Sequence, residues 1–87
     1  MLMNYINKAM SKAVYEKLED GTYSGVIPEC PGTVAFAKTL FECQEELRSV
    51  LEGWIIVKIR YGDQLPVLDG IDLNKSMPDL QETVARG

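Results

Sequence analysis

The sequence predicts a small α+β domain: a mainly antiparallel sheet of three or four strands, one long helix packed on it and a short N-terminal helix. Three observations predict this class: apolar residues recur at helical spacing from residue 40 to residue 61, Asp20-Gly21 separates two β-rich runs, and a Pro/Gly-rich loop precedes a third such run. A chain of 87 residues, with 46% hydrophobic and 25% charged residues, has the composition of one globular domain with a small core.

The N-terminal segment predicts a short amphipathic helix over residues 3–11. Its apolar residues share one face at helical spacing: Leu2, Tyr5, Ile6, Ala9, Met10 and Ala13. We expect this helix to cover one side of the sheet.

Residues 13–19 and 22–27 predict a β-hairpin. Asp20-Gly21 between them is a strong turn signal, because both residues tolerate positive φ. Neither strand alternates cleanly between apolar and polar residues, which suits a sheet covered on both faces by helices or by a partner.

A loop with two prolines and a glycine ends the hairpin, because proline has no N–H to donate to a ladder. Pro28, Pro31 and Gly32 lie in this loop. Residues 33–37 then form a short third strand with Val34 and Phe36 on one face.

The long helix begins at a capping box formed by Thr39 and Glu42, and Gly62 is its expected C-terminal stop. It has about 22 residues and a length of roughly 33 Å. Leu51 and Ile55 widen an apolar stripe made of Leu40, Cys43, Leu47, Val50, Trp54, Val57 and Tyr61.

The C-terminal part predicts little regular structure. Residues 63–73 form a loop that ends in a short strand at 71–73, and residues 74–87 form a flexible tail or a short swapped arm. The chain therefore divides into one domain, 1–73, with its core at 13–73, and a tail, 74–87.

The charge balance excludes some functions. Nine basic and thirteen acidic residues give a net charge of −4, which argues against binding to a phosphate backbone and fits a basic partner. No apolar run approaches the ~18 residues of a membrane span, and the N-terminus lacks the pattern of a secretory signal. We expect a cytoplasmic protein.

The sequence contains few residues that are suited to catalysis. It has no histidine, and we expect Cys30 and Cys43 to be free thiols without an activating base. Asp69 and Asp72 lack the ligand spacing of a calcium loop. Four acids lie near the hairpin: Glu16, Glu19, Asp20 and Glu29. They could form a metal site or an acid–base group, but we favour the interpretation that they are charges at strand edges and turns. We expect no catalytic residue, metal or cofactor.

Several motifs together resemble the HicB-like antitoxin family, in its short, single-domain form. The hairpin and loop carry its signature, Glu19-Asp20-Gly21-x-Tyr23-x-Gly25-x-Ile27-Pro28-Glu29-x-Pro31-Gly32. The long helix is similar to the first helix of the family, in Thr39-Leu40-x-Glu42-Cys43-x-Glu45-Glu46-Leu47 followed by Val50-Leu51-Glu52-Gly53-Trp54-Ile55. Leu65-Pro66 followed by Ile71 is also typical of short members, so the resemblance covers residues 13–73.

The resemblance implies a partial, degenerate ribonuclease-H-like sheet and a non-enzymatic antitoxin. Such proteins bind small basic mRNA-cleaving toxins of the HicA type and block their active sites. If the chain is an antitoxin, we expect it to bind its partner through the acids of the hairpin and loop that the core does not need: Glu16, Glu19, Asp20 and Glu29. The structural signature it implies comprises Gly21, Pro28, Gly32, Thr39, Glu42 and Trp54.

The chain departs from the family at two places. Ala37 stands where many members have glycine before the helix. Full-length members carry a C-terminal DNA-binding domain, and the 14 residues of 74–87 are too few for one, so binding to operator DNA is not expected.

Two other functions stay open at this point. The chain could be an orphan HicB-like scaffold, an oligomeric protein-binding domain without a toxin partner. It could also be a nuclease, but two-metal nucleases need several converging carboxylates and only Glu16 is suitably placed. We expect a homodimer or a tetramer, because the short third strand leaves a sheet edge open and the helix stripe is wider than the sheet. Strand pairing or the 39–60 helix would join the copies.

Overall fold

The computed structural model describes residues 2–72 and contains the elements in the predicted order. The elements are α1 (Leu2–Ser11), β1 (Val14–Lys17), β2 (Tyr23–Val26), β3 (Val34–Ala37) and α2 (Leu40–Arg60). The strands form one three-stranded antiparallel sheet in the order β1-β2-β3. The predicted α+β class is confirmed. The predicted tail, 74–87, and the end of the predicted strand 71–73 lie outside the described residues.

The sheet has one covered face and one open face. Tyr15 pairs with Gly25, and Gly25 with Ala35, in a cross-strand row that lies beneath α2. The neighbouring rows face the other way, because side chains alternate along a strand: Val14–Val26–Val34 and Glu16–Ser24–Phe36. Gly25 and Ala35 have almost no side-chain bulk, which lets α2 approach the backbone of the sheet.

The core is built on a ridge of α2 with a four-residue spacing. Cys43, Leu47, Leu51 and Ile55 are buried at 0–2% exposure, and they form one i, i+4 ridge. Residues from α1 and from the C-terminal loop complete this core: Tyr5, Ile6, Ala9, Leu65 and Leu68.

The two ends of the predicted α2 stripe are exposed, and its middle is buried. Leu40, Val57 and Tyr61 are 41%, 51% and 74% exposed, whereas Leu51 and Ile55, which we expected only to widen the stripe, are buried. A helix of 21 residues is about 31 Å long, and a four-residue strand is about 13 Å. The helix therefore extends beyond the sheet, and apolar residues near both ends have no sheet beneath them.

Helix α1 does not cover the second face of the sheet. Its buried residues Tyr5, Ile6 and Ala9 belong to the same cluster as Ala35 and Leu47, so α1 lies on the α2 side. Of the two covers that we expected for the second face, helices or a partner, no helix lies there among residues 2–72. Four apolar side chains remain exposed on what we call the open face: Val14, Val26, Val34 and Phe36.

Both Asp-Gly pairs form turns, but in different ways. In the hairpin, Glu19–Gly21 form a three-residue loop closed by Leu18 N–H donating to the Thr22 carbonyl at 2.7 Å. Positive φ occurs at Gly21 (+88°) but not at Asp20, so the expected two-residue turn is replaced by a loop with one left-handed residue.

The second Asp-Gly pair, Asp69-Gly70, comes directly before the predicted strand 71–73. Asp69 and Gly70 both have positive φ, +48° and +83°, as in a two-residue type I′ turn. Leu68 and Ile71 on either side exchange backbone hydrogen bonds of 3.0 and 2.8 Å. This segment is therefore a tight turn and does not join the sheet.

Both ends of α2 are capped, but the Glu42 carboxylate accepts from the Thr39 hydroxyl, whereas the predicted capping box has it accept from the Thr39 N–H. The Thr39 side chain accepts from the Glu42 N–H at 3.1 Å, and its hydroxyl donates to the Glu42 carboxylate at 3.0 Å. At the C-terminal end Gly62 has φ +71°, its N–H donates to the Ile59 carbonyl, and the Asp63 N–H donates to the Lys58 carbonyl. These two bonds form a Schellman motif, which ends the helix.

Gly25 and Gly53 provide a matched pair of stability predictions. A Cβ atom at Gly25 would lie 2.8 and 2.9 Å from the Tyr15 ring and 3.2 Å from Cys43 Sγ, so we expect Gly25→Ala to destabilise the protein by about 1–3 kcal/mol. Gly53 is exposed within α2 and has nothing within 4 Å of its Cβ position. Gly53→Ala should therefore stabilise the protein by about 0.5–1 kcal/mol. Urea denaturation measures both, and a neutral Gly25→Ala would contradict the close packing.

Candidate protein-binding site

The hairpin end of the sheet presents three of the four predicted acidic residues. Glu16 lies on the open face of β1, and Glu19 and Asp20 lie in the exposed turn that follows. The Asp20 carboxylate accepts from the Thr22 hydroxyl at 2.6 Å and from the Thr22 N–H at 3.0 Å. The hydroxyl bond, followed by the N–H bond, lowers the pKa of Asp20 below its ordinary value. Asp20 therefore stays ionised and also holds the turn in shape.

Glu29 is separated from the other three acids. It lies in the loop after β2, at the end of the strand opposite the hairpin turn, and a four-residue strand is about 13 Å long. Its carboxylate is 3.9 Å from Lys12 Nζ, so the charge of a neighbouring lysine partly offsets it. The structure thus brings three of the four predicted partner-binding residues together and leaves Glu29 apart.

The loop that carries Glu29 consists of two consecutive β-turns. The Cys30 N–H donates to the Ile27 carbonyl at 2.9 Å, and the Thr33 N–H donates to the Cys30 carbonyl at 3.1 Å. Pro28 and Pro31 occupy the second position of the two turns, where the φ of proline is favourable. Gly32, with φ +97°, supplies the left-handed residue that a type II turn requires.

Side chains fix this double turn from both sides. The Thr33 hydroxyl donates to the Cys30 carbonyl at 2.6 Å within the loop. Trp54 Nε1 of α2 donates to the Pro31 carbonyl at 3.1 Å, and Lys58 Nζ lies 5.4 Å from the centre of the Trp54 ring. Trp54 is half-buried at the rim of the core, so its role is to attach the loop to α2.

Both thiols are free, as predicted, and both are buried. Burial, followed by the nearby charge of Glu29, raises the pKa of Cys30 to about 11. Burial also raises the pKa of Cys43, whose Sγ lies 3.8 Å from the carbonyl oxygens of Tyr23 and Ala35. Both thiols are therefore protonated near neutral pH.

Asp69 has a structural role that the sequence analysis missed. Its carboxylate lies 3.0 Å from Lys12 Nζ and 3.7 Å from Lys8 Nζ, which ties the C-terminal turn to α1. The hydrogen bond from Lys12 lowers the pKa of Asp69. Nearby, the Tyr5 hydroxyl donates to the Pro66 carbonyl at 2.7 Å. No local motif marks these pairings, because the partners are far apart in the sequence.

The described part of the chain contains no cluster of three or more carboxylate or thiol side chains suited to a metal ion. Two surfaces stand out between residues 2 and 72. One is the acidic hairpin end, which we define as Glu16, Glu19 and Asp20. The other is the open face, whose apolar side chains the alternation of β3 could have indicated, because Ala35 and Ala37 alternate with Val34 and Phe36.

Comparison with known proteins identifies relatives of known structure. The sequence profile of the UPF0150-like family matches residues 4–66, which include all three strands and α2. The fold is similar to the crystal structure of TTHA0281 from Thermus thermophilus, with a TM-score of 0.77 and 36% sequence identity. That match covers 82% of this chain and 89% of the other. No curated protein matches significantly. Among the described residues, neither helix has the length and hydrophobicity needed to cross a membrane.

The thiols should be inert in the native protein. Because Cys30 and Cys43 are buried and protonated, we expect negligible reaction with a thiol-specific chromogenic disulfide at pH 8, and complete reaction of both after denaturation. Rapid labelling of Cys30 in the folded protein would contradict the closed double turn.

The Trp54 attachment can be tested by keeping an aromatic ring and removing the donor. Trp54→Phe loses the hydrogen bond to the Pro31 carbonyl, and we expect a loss of about 0.5–1.5 kcal/mol in the free energy of unfolding. Backbone amide exchange should accelerate in residues 28–32 and stay unchanged in the hairpin turn. Equal acceleration in both segments would mean that Trp54 supports the whole fold and has no specific role at the loop.

Proposed function

Because the chain belongs to the UPF0150-like family, we propose that it is a non-enzymatic antitoxin of the HicB-like kind, which binds and blocks a small basic mRNA-cleaving toxin of the HicA type. The observation that carries this proposal is the acidic hairpin end. From residue 14 to residue 22, three acids stand against a single lysine, Lys17. The sequence resemblance to HicB-like antitoxins supports the same assignment.

The acids of the hairpin end are available to a partner. The ion pairs within residues 2–72 join Lys8, Lys12 and Arg48 to the acids Asp69, Glu29 and Glu52, and none involves the hairpin end. Glu16 and Glu19 are exposed. Their charge therefore contributes little to the fold, and it is free to act on a basic surface brought near the sheet.

The chemistry of the target explains how such a surface could inhibit. A protein that cleaves mRNA binds the phosphate backbone with basic side chains. Carboxylates fixed on a hairpin present negative charge to the same basic side chains and can compete with the RNA. Charge complementarity of this kind accelerates association and disfavours wrong partners.

The hairpin turn also holds its charges in place before binding. Asp20 is hydrogen-bonded to Thr22, and Gly21 supplies the left-handed residue that closes the loop. A preformed turn loses little conformational entropy on binding, which favours affinity.

Inhibition by binding requires no covalent step and no cofactor. If its target cleaves mRNA, the chain acts in the cytoplasm, where that target works.

The open face supports one alternative, an oligomeric protein-binding domain of the same fold without a toxin. Val26, Val34 and Phe36 form an exposed apolar group on the open face, and such a surface suits binding to another protein. A neighbouring gene for a short, basic, histidine-containing protein, together with co-purification of its product, would favour the antitoxin. Metal-dependent RNA hydrolysis by the purified chain would contradict both and favour a nuclease.

A double charge reversal at the hairpin end tests the proposal. Glu16→Lys with Glu19→Lys leaves Asp20 in place for the turn, and we expect the association rate with the toxin to fall by about tenfold or more at low salt. The salt dependence of that rate should flatten as well. Surface plasmon resonance at several salt concentrations measures both effects.

The matched control makes the same change in charge elsewhere. Glu45→Lys with Glu46→Lys alters two exposed acids on α2, and the association rate should change much less. Equal slowing by both double variants would show that net charge alone drives the encounter. An unchanged rate for the hairpin variant would place recognition on another surface and refute the assignment of these residues.

A further inference from the structure

The β3 edge of the sheet carries a second inference, which does not depend on the proposed function. We propose that β3 pairs antiparallel with β3 of a second copy of this chain, about a twofold axis at Ala35. The two three-stranded sheets then become one sheet of six strands, with both acidic hairpin ends left free at its outer margins.

The hydrogen-bonding pattern between β2 and β3 shows which backbone groups of β3 point away from the sheet. Ile27 N–H donates to the Thr33 carbonyl on the β3 side of the sheet, at 3.3 Å. Because hydrogen-bonded and non-hydrogen-bonded pairs alternate along an antiparallel ladder, the groups of Ala35 point inward to β2. The N–H and C=O groups of Val34 and Phe36 therefore point outward, and no further strand pairs with them among residues 2–72.

The opposite edge has the same backbone pattern but a different surface. Leu18 N–H donates to the Thr22 carbonyl at 2.7 Å, so the same alternation turns the backbone groups of Tyr15 and Lys17 outward on β1. Charged side chains, lysine above all, protect edge strands from pairing with other chains. β1 carries Lys17 beside Glu16, whereas residues 34–37 contain neither a charge nor a proline.

The β3 edge is complementary to itself. When Ala35 faces its own copy across the axis, Val34 lies opposite Phe36 of the second copy, and Phe36 lies opposite its Val34. Each such pair can exchange two backbone hydrogen bonds, so all the outward groups of Val34 and Phe36 are satisfied. The twofold symmetry of a homodimer requires this reciprocity.

The side chains at the edge favour the same arrangement. Val34 is 46% and Phe36 is 62% exposed, and both lie on the open face. Cross-strand pairing of an aromatic with a β-branched side chain stabilises antiparallel strands. The dimer would also make the apolar rows of the two open faces continuous.

The neutrality of this edge argues for a second copy as the occupant. A basic partner would gain nothing from Val34, Ala35, Phe36 and Ala37, whereas the hairpin end supplies the charge that it needs. A chain of 87 residues with a three-stranded sheet also has a small core, and oligomerisation is a common supplement to such a core.

Sedimentation equilibrium of the full chain at tens of micromolar tests the proposal. We expect a mass twice the 9.7 kDa of the chain. Phe36→Pro removes an outward N–H and leaves the ladder to β2 complete, and it should raise the dimer dissociation constant about tenfold or more. Lys17→Pro removes the equivalent outward N–H of β1 and should leave the dimer intact.

A second variant covers the case in which proline at position 36 prevents folding. Phe36→Lys keeps the backbone donor and places a charge on the edge, and it should give a folded chain of monomer mass. Far-ultraviolet circular dichroism and Trp54 fluorescence establish folding in each case. A wild-type monomer would overturn the proposal. Folded Phe36 variants that remain dimeric would overturn it too, and would move the interface to another surface.

Discussion

The approach of α2 to the sheet at Gly25 and Ala35 is the contact on which the rest of the structure depends. Cys43 Sγ lies 3.8 Å from the Ala35 carbonyl and 3.2 Å from the position that a Cβ of Gly25 would occupy. The Tyr15 ring fills the remaining space above Gly25. Because small residues line the covered face, the i, i+4 ridge of α2 reaches the sheet backbone, and a small chain can close a core.

This one-sided packing determines what is left for partners. Both helices lie on the covered face, so the open face keeps Val14, Val26, Val34 and Phe36 exposed. The two ends of the sheet differ as well. One end is the acidic hairpin turn, and the other is a double turn that Trp54 attaches to α2. The core, the charged end and the neutral β3 edge thus occupy separate parts of a very small protein.

The elements could be predicted because their signals are local. A capping box at Thr39, glycine at position 62 and turn residues between β-rich runs determine where helices and strands begin and end. Which α2 residues are buried could not be read from periodicity alone, because a long helix over a short sheet buries only its middle. Leu51 and Ile55 therefore belong to the core, whereas Val57 and Tyr61 are exposed.

Only part of the predicted acidic group lies together in the structure, because only that part is local in the sequence. Glu16, Glu19 and Asp20 are close in sequence and remain close in the hairpin. Glu29 is separated from them because a whole strand intervenes, and the pairing of Asp69 with Lys12 depends on tertiary contacts that no local pattern encodes.

The central claim is that the chain inhibits by binding, and titration of an RNA-cleavage reaction tests it most directly. The chain would be added in steps to any small basic nuclease that a neighbouring gene is found to encode. The account predicts that cleavage falls linearly and reaches zero at a fixed molar ratio, while the chain alone leaves the RNA intact. Undiminished cleavage at a large excess of the chain, or cleavage by the chain itself, would contradict the account.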